Sequence, residues 1–269
     1  MTSTSTSDFR EEIARFVKAR PTDRVLFAAD YPEAVALVAA AAPGEILTLD
    51  LTADLATTAA PSRRVVPAQI DLTTTLAAVD SELARRPAAL VIVPAVAPAT
   101  GEVLPLPALA AIAHRRGARL LVDGSDIVSR RAVNLTSHGI DYLVLSGPSA
   151  AGPAVVVGRS DWLAESDDAA PEINIVLPPR QLVSDLGYEW VGLHEQACSD
   201  WLDAEIDRLP GIRRLHLWTD ARDRVGIASL AVSGHRRPVV LRWDAGTGID
   251  ELARQLNSLA ENVFEQEKS

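Results

Sequence analysis

Apolar residues are distributed along the chain in two alternating patterns. Short continuous apolar runs are typical of strands that are buried on both faces of a sheet. Between these runs, apolar residues recur every three or four positions, which is the pattern of amphipathic helices. The alternation predicts a three-layer α/β domain with a largely parallel sheet between two layers of helices. The predicted strands of this domain are 25–28, 46–49, 90–93, 119–122, 142–145 and 154–157.

The pattern changes after Trp162. An acidic stretch of small residues is followed by a long amphipathic helix that ends at Pro210-Gly211, two strand-like runs and a last helix. This order predicts a second, smaller α+β unit. The predicted divisions are a tail with a first helix over 1–19, a large domain over 20–165, a linker over 166–187 and a small C-terminal domain over 188–269.

The overall composition excludes several classes of protein. Hydrophobic residues make up 48% of the 269 residues, which is enough for a full core. The net charge of −10 and the 4% of aromatic residues argue against nucleic-acid binding, which favours a basic surface with stacking aromatics. No apolar run reaches the roughly 20 residues of a membrane helix, and no signal-peptide pattern follows Met1. We therefore expect a cytoplasmic protein that binds neither nucleic acid nor membrane.

The basic residues are almost all arginine. Of 26 basic residues 24 are arginine, and the two lysines are Lys18 and Lys268. Lys18 falls in the first predicted helix and Lys268 lies beside the C-terminus, so we expect both far from the edge of the sheet where ligands bind. Chemistry that depends on a buried lysine therefore has no evident position in this chain. The single cysteine, Cys198, excludes an intrachain disulfide.

Three local motifs indicate chemistry only weakly. The segment Gly147–Gly152 resembles the G-x-S-x-G nucleophile elbow, but its second glycine comes one position late and another strand follows. His194 and Cys198 lie four positions apart on one predicted helix and could share a metal ion, but an ordinary helix face is the favoured interpretation. Arg130 and Arg131 are interpreted as a solvated helix end. We predict no metal site.

Asp123 stands apart from these motifs because it directly follows the predicted strand 119–122. Open α/β sheets bind their ligands at the carboxyl ends of their strands, so this carboxylate is a candidate ligand contact. Gly124 and Ser125 follow it, and with such neighbours an aspartate also serves as a turn or cap residue. Local evidence leaves both interpretations open.

The segment 105–123, preceded by Ala99–Leu104, resembles the class V aminotransferases, a group that includes cysteine desulfurases, selenocysteine lyases and related C–S lyases. The resemblance covers nearly the whole chain from about Asp8. It implies a fold type I protein that depends on pyridoxal phosphate (PLP), with a three-layer αβα large domain and a small C-terminal α+β domain. The other segments that carry it are 138–147, 154–163, 194–195, 209–213 and 223–228.

The chain departs from the family where the cofactor lysine is expected. The family motif reads Ser-Gly-His-Lys, and its lysine forms the imine with PLP. This chain reads Ser146-Gly147-Pro148-Ser149. A serine hydroxyl cannot form that imine, and proline has neither a ring nitrogen with a proton nor a backbone donor. Ser146 and Ser149 are therefore candidates for what remains of the pocket.

Other expected contacts with the cofactor are also changed. The family's Val-Asp-Ala-Ala-Gln becomes 122–126, so that Asp123, which would pair with the cofactor ring, is retained while Asp126 replaces the glutamine. The segment 50–57, which would supply a stacking histidine, contains none. The turn 28–33, which would hold the phosphate, offers the carboxylates of Asp30 and Glu33 instead.

The resemblance also suggests a contact for substrate. Arg242 falls where the family's arginine for the substrate carboxylate would lie, and part of the small domain before it is missing between Gly234 and Val239.

The changes at the expected cofactor site add up. Several cofactor contacts of about 1–3 kcal/mol each are lost together, which predicts that PLP is not retained and that Asp123 is a vestige of its site.

Three functional hypotheses follow. The favoured one is a degenerate family member that acts as a non-catalytic binding, scaffolding or regulatory subunit. The second is an enzyme that uses the remaining pocket, formed by Asp123, Ser125, Asp126, Ser146 and Ser149, without imine chemistry. The third is a PLP-dependent C–S lyase or cysteine desulfurase.

Family members are dimers whose two active sites are completed across the interface, so we expect a dimer. The two possibilities are a homodimer and a heterodimer with an active PLP-dependent paralogue. The family's N-terminal arm has no counterpart here, and its loss would leave interface surface uncovered, which favours the heterodimer.

Overall fold

The computed structural model describes residues 6–51, 63–147, 152–163 and 180–266. Helices and strands alternate over most of these ranges, as the two hydrophobic patterns predict. The helices are α1 (Thr6–Phe16), α2 (Tyr31–Ala41), α3 (Leu72–Arg85), α4 (Leu106–Arg115), α5 (Leu135–His138), α6 (Arg180–Ile206, with a break at Gly187) and α7 (Ile249–Gln266). The strands are β1 (Asp23–Ala28), β2 (Ile46–Leu49), β3 (Arg63–Val66), β4 (Leu90–Pro94), β5 (Arg119–Asp123), β6 (Tyr142–Ser146), β7 (Ala154–Arg159), β8 (Ile212–Leu215), β9 (Ile227–Val232) and β10 (Val239–Arg242).

The larger sheet has seven strands in the order β1-β7-β6-β5-β4-β2-β3. Strands β2 to β6 are parallel to their neighbours in this set, and β7 is antiparallel to both β6 and β1. The direction of β7 follows from the short connection between β6 and β7, because a parallel crossover needs a dozen or more residues. The sheet is largely parallel, as predicted, with one reversed strand near its edge.

This sheet separates two hydrophobic cores. Alternate residues of β5 belong to different cores: Leu120 and Val122 pack with one cluster, and Leu121 packs with the other. Helices α3 and α4 cover the first face, and α2 covers the second. Every residue of β4 and β6 is buried, which explains why these strands are continuous apolar runs in the sequence. The three-layer α/β prediction is confirmed.

The smaller sheet is antiparallel, with the order β10-β9-β8. Helices α6 and α7 pack on one face of it and form a third core, to which Cys198, Leu202, Leu252 and Leu256 contribute. This unit is the predicted small α+β unit.

The segment between β8 and β9 packs against the large sheet although it lies within the small unit in sequence. Trp218 is fully buried in the first core, and its indole N–H donates to Thr75 Oγ1 at 3.0 Å. The carboxylate of Asp220 accepts hydrogen bonds from the backbone N–H groups of Leu72 (2.6 Å) and Thr73 (3.2 Å) at the N-terminus of α3. These bonds lower the pKa of Asp220 and tie the two sheets together.

Two strands, β3 and β8, are not predicted by the hydrophobic pattern. Both lie at the edge of their sheet, and each contains two consecutive arginines, Arg63-Arg64 and Arg213-Arg214. Charged side chains are common on edge strands and interrupt the apolar run that identifies a central strand. Among the helices of the described ranges, none combines the length and apolar character needed to cross a membrane.

Candidate functional site

The carboxyl ends of three strands meet at one edge of the large sheet. Ser146 at the end of β6 is opposite Ala154 of β7, which is in turn opposite Ala28 at the end of β1. Asp123, the last residue of β5, is paired with Pro94 and Val144 on the two neighbouring strands. Topology therefore places Asp123, Ser146 and the turn that follows Ala28 at the same edge, which is the position expected for a ligand site.

Asp123, Ser125 and Ser146 form one hydrogen-bonded chain at this edge. Asp123 Oδ1 accepts a hydrogen bond from the backbone N–H of Ser125 at 2.9 Å. Ser125 Oγ accepts one from the backbone N–H of Ser146 at 3.0 Å and lies 3.0 Å from Ser146 Oγ. Of the predicted pocket residues, these three are brought together, whereas Ser149 lies outside the described residues.

Gly124 allows the turn after Asp123 to pack closely against β6. A Cβ atom at this position would lie 2.7 Å from Cδ1 of Leu143 and 3.0 Å from Cδ2 of Leu145. These contacts are too short for an alanine without displacement of the two leucines. Glycine is therefore the residue that lets Ser125 approach Ser146.

The carboxyl group of Asp123 has no cationic partner among the hydrogen bonds and ion pairs of the described residues. Burial is the main influence on this group and raises its pKa. The nearby charge of Asp126 also raises it, and hydrogen bonds from Ser125 and from the Tyr31 side chain partly offset the increase. Tyr31 was not identified from the sequence. It occupies the first position of α2, the helix that begins directly after β1, and that position is the signal that could have found it.

The N-terminus of α2 is capped by the chain's own carboxylates. Asp30 Oδ1 accepts from the backbone N–H of Glu33 at 2.8 Å, and Glu33 Oε2 accepts from the backbone N–H of Ala29 at 2.6 Å. This resembles a capping box, except that the Glu33 carboxylate accepts from Ala29, one residue before the N-cap Asp30. The N–H groups that an anion would use at this helix end are therefore partly occupied, and two negative charges surround them.

Arg242 and Asp126 are brought together although they lie 116 positions apart in the sequence. Arg242 Nη1 donates to Asp126 Oδ1 at 3.1 Å, and Nη2 donates to the backbone oxygen of Pro98 at 2.8 Å. The side chains are 47% and 40% exposed, so the pair lies at the surface of the cleft. The guanidinium group of Arg242 is thus paired with a carboxylate of the same chain.

Lys18 lies away from this edge. Its backbone oxygen accepts a hydrogen bond from Thr136 Oγ1 at 3.4 Å, and the neighbouring Val17 contacts Leu135 of α5. Lys18 precedes the start of β1 and α5 precedes the start of β6, so both lie near the amino edge of the sheet, opposite Asp123. The other lysine, Lys268, is outside the described residues.

The sequence interpretation of Arg130 and Arg131 is wrong. Instead of forming a solvated helix end, they bind Glu195 of α6, whose side chain is only 1% exposed. Arg130 Nη1 bonds Glu195 Oε1, and Arg131 Nη1 donates to Glu195 Oε2 at 2.8 Å. Gly226 donates its backbone N–H to Glu195 Oε1 at 3.0 Å, and Arg130 also donates to the backbone oxygen of Trp243 at 2.7 Å. The partners in this cluster lie between 31 and 113 positions apart in the sequence, so local patterns do not reveal it.

His194 and Cys198 do not form a metal site with other residues of the described ranges. His194 Nε2 lies 2.9 Å from the backbone oxygen of Thr247 and 3.7 Å from Cys198 Sγ, and the imidazole stacks on Trp190. Among the described residues there is no group of three or more His, Cys, Asp or Glu side chains that could hold a metal ion. The contacts instead join α6 to the start of α7.

The family model for Aminotransferase class-V matches residues 1–169, which is more than half of the chain. The chain belongs to the class-V aminotransferase family. The family is PLP-dependent, and the predicted resemblance is confirmed at this level. The match contains β5, β6 and Asp123 and therefore the edge of the sheet described above.

The curated relatives of this family member are cysteine desulfurases. A probable cysteine desulfurase of Mycolicibacterium paratuberculosis is 24% identical over 273 residues, covering 84% of this chain and 39% of that protein. Probable cysteine desulfurase 1 of Mycobacterium leprae is 25% identical over 157 residues, covering 46% of this chain and 25% of that protein. The chain thus spans well under half the length of both relatives.

Solved structures share the fold over nearly the whole chain. An apo cysteine desulfurase from Thermococcus onnurineus has a TM-score of 0.74 at 16% identity, with 95% of this chain and 83% of that chain covered. A NifS-like protein from Rickettsia africae has a TM-score of 0.75 at 12% identity, covering 98% and 91%. At these identities the similarity establishes the fold alone.

Proposed function

We propose that this class-V aminotransferase family member does not hold PLP and acts as a non-catalytic binding, scaffolding or regulatory subunit. The observation that carries the proposal is that the polar groups of the cleft are already partnered within the chain. Arg242 is paired with Asp126, and the N-terminus of α2 is capped by Asp30 and Glu33. Groups that would face a ligand are bound to groups of the same chain.

The residues of the sheet edge do not fit the phosphate of PLP. A dianion at the N-terminus of α2 would have to displace Glu33 from Ala29 N–H and Asp30 from Glu33 N–H. It would then lie beside two carboxylates, and like charges at short distance are strongly unfavourable. The same helix end in a phosphate site presents free N–H groups and neutral side chains.

The amine that PLP chemistry requires is also missing from this edge. PLP reacts as an electron sink after a lysine forms an imine with it. Ser149 occupies the corresponding sequence position, and Lys18 lies near the opposite edge of the sheet. Of the expected cofactor contacts, Asp123 is retained, and here its carboxyl group accepts hydrogen bonds from Ser125 and from the Tyr31 side chain.

One observation favours a second candidate, an enzyme that uses the cleft without PLP. Asp123, Ser125 and Ser146 form a continuous hydrogen-bonded chain with Tyr31 beside it, and the raised pKa of Asp123 makes that carboxyl a possible proton donor or acceptor. In the described part of the chain no histidine or lysine is hydrogen-bonded to the hydroxyl of Ser125 or Ser146, so a serine nucleophile there lacks that base. The third candidate, a PLP-dependent cysteine desulfurase, rests on the relatives' names.

A binding or regulatory role implies a partner subunit. We propose a dimer, either with a second copy or with an active PLP-dependent paralogue of the same fold, and favour the paralogue. Support comes from the family itself, whose members complete their active sites across a subunit interface. A chain without its own chemistry could still cover or order the partner's site.

Absorbance and mass spectrometry test the loss of PLP. Purified protein is mixed with equimolar PLP, reduced with borohydride and analysed as intact protein and as peptides. The expected result is no stoichiometric adduct and no protein-bound absorbance band, because the described residues place no lysine at the cleft. A stoichiometric adduct on Lys18 or Lys268, with sulfide release from cysteine, would instead establish the desulfurase hypothesis.

Size-exclusion chromatography with mass detection tests the partner. The chain is measured alone and after co-expression with a full-length PLP-dependent paralogue. We expect a stable complex and a change in the paralogue's activity. A monodisperse monomer that leaves this activity unchanged would contradict the role of subunit without affecting the test of PLP binding.

A further inference from the structure

A basic cavity lies at the opposite end of the small sheet from Arg242. Its volume is about 520 Å³, within the range of small-molecule sites. Arg213 of β8 and Arg236 and Arg237 of the β9–β10 hairpin line it, together with His235 and Ser233. Arg242 ends β10, whereas this hairpin precedes β10, so the cavity is separate from the cleft described above.

These three arginines differ from most others in the described ranges. Fifteen arginines form ion pairs with Asp or Glu. Among the described arginine side chains, five have neither an ion pair nor a side-chain hydrogen bond. They are Arg213, Arg236 and Arg237 at the cavity, and Arg15 and Arg222 elsewhere. In a chain of net charge −10, three unpaired guanidinium groups around one concavity are unexpected for a merely solvated surface.

We propose that this cavity binds the phosphoryl group of a small phosphorylated molecule. Guanidinium groups offer paired N–H donors that match phosphate oxygens, and three of them would balance a dianion. The Ser233 hydroxyl adds a further donor. The remaining walls include Ile212, Val232 and Pro238 and no Phe, Tyr or Trp, so the arginines are the main recognition groups and they favour the phosphoryl end of a ligand.

The hairpin geometry supports a defined cavity at this place. Ser233 donates its backbone N–H to the oxygen of Gly211 at 2.8 Å, and His235 donates to the oxygen of Val232 at 3.0 Å. These bonds hold the turn over the start of β8, where Arg213 is located. Arg236 and Arg237 are thereby kept on a short, bonded connection, which reduces the entropy lost when they bind an anion.

Isothermal titration calorimetry with the full chain tests the proposal. Pyrophosphate is the main probe, and inorganic phosphate and glycerol phosphate distinguish a free anion from an organic ester, all at a constant ionic strength of about 0.1 M. We expect saturable binding with one site per chain. The Arg213→Gln/Arg237→Gln variant is expected to bind about tenfold or more weakly, because it loses two charge-assisted contacts.

Arg15→Gln/Arg222→Gln is the matched control, since it removes two exposed, unpaired arginines outside the cavity. Its affinity is expected to stay within about twofold of the parent chain. Equal weakening in both variants would show a general charge effect and overturn the proposal, as would the absence of saturation. Tighter binding of a glutamate-rich peptide than of any phosphate, lost in the Arg213/Arg237 variant, would show that the cavity is a protein-docking site instead. The test is independent of PLP binding.

Discussion

Two charged clusters lie within eight residues of each other, at and after the end of β5, and they differ in how their charges are paired. Arg130 and Arg131 meet a buried glutamate, Glu195, which has all of its partners within the protein and joins the two sheets. Asp123 and Asp126 lie at the cleft, where Asp126 holds Arg242 and Asp123 has only hydrogen-bonding partners. The first cluster joins the segment after β5 to α6, whereas the second lies at the carboxyl edge of the large sheet, where one of its two carboxylates is paired with an arginine of the described residues.

The comparison shows which electrostatic interactions the fold depends on. A buried carboxylate bound by two guanidinium groups is costly to disrupt, because the remaining charges are left without water or partners. A partly exposed pair at a cleft contributes little, because solvent already screens it. The two clusters should therefore respond very differently to the loss of one carboxylate.

The largest effect is expected for Glu195→Ala. It leaves Arg130 buried without its anion and should lower the free energy of unfolding by about 3–5 kcal/mol, as measured by urea denaturation. Glu205→Gln is the control on the same helix, because Glu205 forms an exposed pair with Arg208. The control should change stability by less than about 0.5 kcal/mol. Equal effects of the two variants would remove the distinction between the clusters.

A smaller effect is expected when the cap of α2 is removed. Asp30→Ala should cost about 1 kcal/mol in thermal or urea unfolding, since it removes the acceptor for Glu33 N–H. Asp30→Ser keeps a capping oxygen without the charge and should cost less than about 0.5 kcal/mol. If the serine variant were as unstable as the alanine variant, the carboxylate charge itself would be the stabilising feature.

The Asp126–Arg242 pair should contribute still less. Asp126→Asn, Arg242→Gln and the double variant form a cycle whose coupling energy is expected to be about 0.2–1 kcal/mol, because both side chains are well exposed. The measurement is urea denaturation at two salt concentrations, and the coupling should decrease with salt. A coupling of several kcal/mol would place this pair with the Glu195 cluster.

The smallest effect, and one of opposite sign, is expected at Asp123. Its pKa in the folded protein is raised above 3.8, so the folded state binds more protons than the unfolded state between the two values. Stability therefore falls as pH rises through this interval, and Asp123→Asn should remove that loss. At neutral pH, urea denaturation should show the variant to be as stable as the parent chain or more stable. Marked destabilisation would show that the carboxylate has a cationic partner.

Hydrophobic patterns predict the buried apolar strands of this protein better than its charged edge strands. The run Ile46–Leu49 is found as β2 with identical bounds, because burial on both faces requires a continuous apolar stretch. The edge strand β8 was missed, because its Arg213-Arg214 pair hides the alternation. Asp123 was located correctly by its place after a strand, whereas its contact with Tyr31 was not foreseen.

The sequence by itself determined the layers of the fold, the near absence of lysine and the position of Asp123, because these depend on local period and residue type. Tertiary structure alone decided which charges are paired. Arg131 and Glu195 are 64 positions apart, and Asp126 and Arg242 are 116 apart. Whether such a charge is solvated or buried depends on which strand ends and helices the packing brings together. Hydrophobic periodicity carries information about the face that a residue occupies, and it carries none about the partner that the residue meets there.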